Sequence, residues 1–242
     1  MNYIIYDLEF NQKKAATPSN PNLAFEIIQI GAVKLNNNLE TVSTFNRLIK
    51  PTVHLEIHPY IEDLTKITTE MVNSEDYFSD VYRDFIEFIG DEDFIVCTWG
   101  ISDIKELSKN IKFHNLISLD NLNKYIDVQK VVSKNLHTTR GRKVSLKKAI
   151  EFYNIPLEKD FHDALNDAYY TAEVFKKIYH KKIKSYTYSP TNTKRVVKPK
   201  QDINTDQLFS QFEKMYKREL TSDEKKMIKL AYMMGKTNQF IK

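Results

Sequence analysis

Residues 2–10 are rich in β-branched and aromatic residues with no breaker among them, and strand alternation sorts them into two faces. Tyr3, Ile5, Asp7 and Glu9 fall on one face, and Ile4, Tyr6, Leu8 and Phe10 on the other. Residues 26–35 and 42–49 repeat this character on either side of the turn-forming Asn36-Asn37-Asn38, which predicts a three-strand antiparallel meander. From Phe78 to Ile89 the apolar positions Phe78, Val81, Tyr82, Phe85, Phe88 and Ile89 recur at helical spacing, and Gly90 stands where a C-cap belongs. This helix leads into a buried strand at 94–99. Further helices are predicted from Ser102, as N-cap, to about Phe113, over 145–153, and from Asp163 to Lys184, with a short strand at 125–128. The order is that of the α/β class: a mixed sheet, meander plus parallel strands, flanked by helices.

After residue 186 the pattern changes. Ser189-Pro190-Thr191-Asn192-Thr193 and Val196-Val197-Lys198-Pro199-Lys200 are aperiodic and proline-punctuated, which marks a linker over 187–204 between a domain at 1–186 and an extension at 205–242. In the extension, Leu208, Phe212, Met215 and Tyr216 form one helical stripe. Met227, Ile228, Ala231 and Tyr232 form a second, after the N-cap signal Thr221-Ser222-Asp223-Glu224, so a small helical hairpin is expected.

Charge adds a feature that hydropathy hides. Of 36 Lys and Arg and 32 Asp and Glu, twelve and six lie in residues 189–242, leaving 24 basic and 26 acidic residues in a near-neutral body. The run from Lys176 to Lys200 has no acid, and a polyanion would be drawn to it. Five glycines in 242 residues exclude a Gly-rich phosphate loop architecture, and the single Cys97 excludes a cysteine metal cluster. No apolar run approaches the roughly 18 residues of a membrane span, and the N-terminus lacks a basic leader. No membrane partner and a cytoplasmic location are expected.

Asp7 and Glu9 share a face of the first strand, roughly 7 Å apart at Cα. Two carboxylates on a buried strand must be paired, protonated or metal-bound, and a hard divalent cation answers that need. Taken alone, the pair reads more readily as a solvated strand end, and the other residues shift that balance. Asp103 follows the buried strand at the start of a helix, where open α/β sheets assemble sites, although a first-turn acid also suits the helix dipole. Asp167 lies on the stripe continued by Thr171, Val174 and Ile178, and His162 stands five residues before it.

Asp7-Leu8-Glu9, Asp103 and His162-x-x-x-x-Asp167, in this order, resemble the DnaQ-like exonuclease superfamily, in its branch with four acidic residues and a histidine (DEDDh). Residues 26–33 resemble the family's second strand, and Leu64-Thr65-Lys66-Ile67-Thr68 its substrate-facing segment. Asp-Leu-Glu-Phe-Asn and Trp-Gly-x-x-Asp are most similar to the branch of histone-mRNA and siRNA trimming exonucleases and the bacterial sporulation inhibitor KapD. The resemblance spans about residues 2 to 184 and implies an RNase H-like fold. It also implies 3'-to-5' hydrolysis of single-stranded RNA or DNA, RNA slightly favoured, to nucleoside 5'-monophosphates. Two Mg²⁺ or Mn²⁺ would be held by Asp7, Glu9 and Asp167 with help from Asp103, and His162 would be the general base outside the metal shell. By the same similarity Leu8, Phe10, Ile67 and Thr68 would lie near the terminal nucleotide. Trp99 would stack or merely pack, and Arg140, Arg142, Lys143, Lys147 and Lys148 would guide phosphates or simply be solvated. Two other readings stay open: a catalytically silent nucleic-acid-binding or polymerase-associated module, and an adaptor whose hairpin recruits a protein partner or further nucleic acid.

Overall fold

The computed structural model describes residues 1–13, 23–136, 138, 143–190 and 204–236. The chain divides into two compact units, residues 1–191 and 192–242. In the first, strands β1 (Asn2–Gln12), β2 (Phe25–Leu35) and β3 (Thr41–Leu48) form the meander, and β4 (Phe94–Thr98), β5 (Lys124–Asp127) and β6 (Tyr186–Thr187) complete a six-stranded sheet in the order β3-β2-β1-β4-β5-β6. β1 pairs antiparallel with β2 and parallel with β4, β4 runs parallel to β5, and β6 closes the edge antiparallel. The mixed α/β sheet read from the hydropathy pattern is the observed one, and it is the RNase H-like arrangement.

Alternation along β1 divides the interior in two. Tyr3 and Ile5 join the core that includes Ala168, Tyr170 and Phe175 of α7 (Ala164–Ile178) and Ala149 and Ile150 of α6 (Leu146–Phe152). Ile4, Tyr6 and Leu8 join the opposite core, with Phe78, Val81 and Phe85 of α3 (Phe78–Ile89) and Ile104 and Leu107 of α4 (Ser102–Phe113). The register between β1 and β2 slips between Glu9 and Phe10, so that Ile28 has no partner. Such a bulge reverses the side-chain parity beyond it. Ile28 accordingly leaves the two main cores for a third, small one with Ile57, Ile67 and Val72, under α1 (Pro59–Thr65) and α2 (Thr69–Asn73).

Several boundaries differ from the sequence expectation. Ser102 is the first helical residue of α4 and Ile101 occupies the cap, without a side-chain bond. Helix α7 ends at Ile178 rather than Lys184. Tyr179 is extended (φ −60°, ψ 133°), and its hydroxyl accepts from that of Tyr3 at 2.7 Å, so the chain leaves the helix where the apolar stripe ends. The basic stretch beyond turns back as β6. Helices α1, α2 and α5 (Val128–Asn135) were not foreseen. The expected helix α3 is observed with Gly90 at φ 72°, its N–H bonded to Ile86 O.

In the second unit α8 (Thr205–Tyr216) and α9 (Ser222–Lys236) form the expected hairpin. Thr221 caps α9 reciprocally: Glu224 N donates to Thr221 Oγ1 at 3.3 Å, and Thr221 N to Glu224 Oε2 at 2.8 Å. Most of the linker expected at 187–204 lies outside the described residues.

Candidate active site

Four carboxylates reach one place from three directions. Asp7 and Glu9 come from the second half of β1, on the face covered by α7; across the sheet Asp7 pairs with Gly31 and Glu9 with Gln29. Gly31 has to be glycine. A Cβ there would sit 2.0 Å from Leu165 N and 2.1 Å from the Ala164 carbonyl carbon, because the first turn of α7 rests on the β2 backbone. Gln29, only 3% exposed, fastens that turn: its Nε2 donates to Asp163 Oδ2 at 2.8 Å, and its Oε1 accepts from Ala164 N at 3.1 Å. The other Asp163 oxygen caps the helix from Asn166 N at 3.0 Å. Asp167 is thereby placed one turn into α7.

His162 has φ 66°, a left-handed conformation uncommon for a residue with a side chain, and its N–H donates to Asp167 Oδ2 at 3.2 Å. One ligand-type atom each from Glu9, His162 and Asp167 lies within 4.8 Å of the others. Asp103 arrives from the far side of β4. Gly100 turns the chain at φ 97°, Thr98 Oγ1 donates to its carbonyl at 2.6 Å, and Asp103 follows in the first turn of α4, 6% exposed.

Electrostatics ties the four together. Burial and then the charge of Asp103, followed by Asp167 and Glu9, hold the Asp7 carboxyl well above the usual range. Burial, Asp167 and Asp103 push Glu9 to about 8. Asp103 is raised to about 7 by burial, partly offset by a backbone hydrogen bond. Asp167 is raised to about 6 by burial, against the hydrogen bond and charge of His162. Among the described residues no Lys or Arg is ion-paired with any of the four. Asp167 Oδ1 is buried with no hydrogen-bond partner. Hard oxygen donors, mutual repulsion and an orphaned carboxylate oxygen are what a divalent cation site offers.

The expected substrate-facing residues are distributed differently. Leu8 and Ile67 are 3% and 4% exposed and enclosed by protein, Leu8 in the core beneath α3 and α4 and Ile67 in the third core. They can shape a floor but present almost no surface. Thr68 caps α2, its Oγ1 accepting from Met71 N. Phe10 is half-buried and meets Phe25 edge-on at 6.4 Å between centroids. Trp99 is half-buried against the α7-side core, its buried Nε1 without a partner. Arg140 and Arg142 lie outside the described residues. Gln29 and Gly31 were passed over by the sequence reading except as part of a strand. A polar residue and a glycine within Glu26-Ile27-Ile28-Gln29-Ile30-Gly31 were the available signal.

The exonuclease family RNase T matches residues 4–175. The chain is 29% identical over 183 residues to the probable 3'-5' exonuclease KapD of Bacillus subtilis, covering 72% of this chain and 82% of that protein. It is 29% identical over 178 residues to a PolC-type DNA polymerase III of Clostridium perfringens, which is 72% of this chain but 11% of the polymerase. The nuclease domain of 3'hExo, a DEDDh family member crystallised with rAMP, superposes with a TM-score of 0.66 at 21% identity, over 78% of this chain and 96% of that one, and shares its fold. With residues 4–175 matched, the chain belongs to the RNase T exonuclease family, the DnaQ-like DEDDh group of 3'-to-5' exonucleases.

Proposed function

We propose that this protein removes nucleoside 5'-monophosphates one at a time from the 3' end of single-stranded nucleic acid, with RNA favoured over DNA, using Mg²⁺ or Mn²⁺. The observation that carries the reading is the convergence of Asp7, Glu9, Asp103 and Asp167 in a buried setting that raises every one of them and leaves Asp167 Oδ1 unpartnered. Asp7, Glu9 and Asp167 are the principal holders of the cations, and Asp103 assists. Two bound divalent cations supply charge stabilisation to an in-line displacement at phosphorus. The protein's own groups do the rest. His162, exposed at the lip of the site, takes the proton of the attacking water on an imidazole nitrogen. Asp167 orients it by accepting from its backbone N–H. The half-buried Phe10 and Trp99 flank the terminal nucleotide.

The preference for RNA rests on the likeness of the site segments to RNA-trimming relatives. Matched RNA and DNA oligonucleotides carrying a 5' label, incubated with Mn²⁺, test both parts. Stepwise shortening from the 3' end with release of nucleoside 5'-monophosphates, faster for RNA, is expected. Internal cuts would overturn the exonuclease reading, and faster loss of DNA would overturn the preference.

One observation favours an added attachment role for the hairpin. An apolar groove of about 460 Å³ lies between its helices, lined by Leu208, Phe212, Met227, Ile228, Ala231 and Tyr232, and Met215 and Tyr216 are exposed. In that role Phe212→Gln leaves strand shortening unchanged; a loss of turnover would tie the hairpin to catalysis instead.

A further inference from the structure

A sizeable cavity of the first unit lies away from the carboxylates, none of which lines it. It is a pocket of about 820 Å³ between α5 and the chain returning through residues 180–186, and its rim carries Lys130, Lys134, Lys143, Lys182 and Lys184. All five ammonium groups are on exposed side chains, and among the described residues none is ion-paired. The single acid in the wall, Asp127, accepts from Lys130 N at 2.8 Å to cap α5, so the pocket keeps a charge of five less one, or +4. The Nζ atoms of Lys130 and Lys184 lie 4.1 and 5.5 Å from the centroid of Tyr186, which gathers two like charges on one ring. Concentrated cations of this kind draw a polyanion and pay little to meet it, because the lysines are already solvated and only counterions must leave.

The pocket's position says which polyanion. β5 is the parallel neighbour of β4, with Asp127 beside Thr98, so α5 begins at the same end of the sheet from which the loop at Gly100 leads to Asp103. Gln129 lines the pocket and packs against that loop; a Cβ on Gly100 would stand 3.0 Å from its Oε1. We infer that the lysine pocket holds the phosphates of the substrate strand upstream of its 3' end, a second anchoring surface one strand beyond β4 and two beyond β1, which carries Asp7 and Glu9. The inference rests on the proposed exonuclease reading for the identity of the strand, but the binding it predicts is measurable without turnover.

The test compares the full chain with its Lys130→Gln/Lys184→Gln variant in equilibrium binding of a 4-mer and a 20-mer single-stranded oligonucleotide across a salt series. Losing two phosphate contacts weakens 20-mer binding about tenfold at low salt and reduces the magnitude of the log K against log[salt] slope by about 1.4, while 4-mer binding is unchanged. An unchanged slope for the 20-mer, or an equal loss for both lengths, overturns the upstream assignment. If the wild-type protein binds the 20-mer but cleaves neither strand, the exonuclease reading falls, and the pocket is still decided by the difference in slopes.

Discussion

His162 shows how much one backbone conformation can contribute. Its left-handed φ lets the backbone N–H reach Asp167 while the imidazole stays at the lip beside Glu9. As a base it predicts that His162→Ala lowers kcat at neutral pH by about 10²–10⁴-fold. Mn²⁺ affinity measured by calorimetry should stay near wild type. Normal turnover would remove it from the proton transfer, and a matching loss of Mn²⁺ binding would make it a metal ligand. Gln29 acts at one remove, holding Asp163 and Ala164 and so the start of α7. Gln29→Ala leaves the Ala164 N–H unpaired in a buried place, at a cost of about 1–3 kcal/mol. It should lower thermal stability and reduce kcat more than KM; Gln29→Glu, which keeps an acceptor for that N–H but sets a carboxylate against Asp163, should restore little. Stability and kcat both at wild-type levels for Gln29→Ala would contradict this role. The Asp-x-Glu pair and the start of α7 at Asp163 were legible in the sequence because alternation and helical periodicity are local rules. Gln29 was not, because its partners lie 134 and 135 residues away and only the folded register brings them together.

At the scale of elements, the close seat of α7 on β2 decides whether the carboxylates meet. Gly31→Ala forces a Cβ into the helix backbone, so α7 must lift. Overpacking of this kind costs about 1–3 kcal/mol. The expected outcome is a protein that folds, with a lowered melting temperature and turnover reduced far beyond what the unfolded fraction explains. Wild-type activity in Gly31→Ala would show that the site tolerates movement of the helix. The meander and helices α3, α4 and α7 were readable from period and caps. The two-residue β6 and the end of α7 were not: Lys181, Lys182 and Lys184 continue no apolar stripe, and the Tyr3–Tyr179 contact that ends the helix joins residues 176 apart. Arg140 and Arg142, read as phosphate guides, lie outside the described residues; Lys143, read the same way, lines the basic pocket together with Lys130 on the unforeseen α5 and with Lys182 and Lys184, which belong to the acid-free run but stand in the chain before β6 rather than on a helix.

For the whole molecule, clustering four acids makes stability depend on pH in a direction opposite to that of salt-bridged carboxylates. Glu9, Asp103 and Asp167 titrate at about 8, 7 and 6 in the folded protein, against ordinary values of 4.5, 3.8 and 3.8, so the metal-free folded state keeps protons that the unfolded chain has released. Raising the pH from about 4 to 8 therefore removes stability from the metal-free protein. Saturating Mn²⁺ should restore it, and more strongly at pH 8 than at pH 5, because only the ionised carboxylates bind. Melting temperatures with chelator and with Mn²⁺ at the two pH values check this; equal shifts would mean the acids do not form the metal site. No described helix is long and apolar enough to cross a membrane.

The most direct measurement is a Mn²⁺ titration of the wild-type protein and Asp7→Asn, following metal binding, strand binding and loss of nucleotides from a single-stranded oligonucleotide together. The wild type is predicted to bind Mn²⁺ and shorten the strand from its 3' end, while Asp7→Asn still binds the strand but loses Mn²⁺ affinity and nearly all turnover. Wild-type protein that leaves the strand intact while both proteins bind it equally would contradict the assignment of this carboxylate cluster as an exonuclease centre.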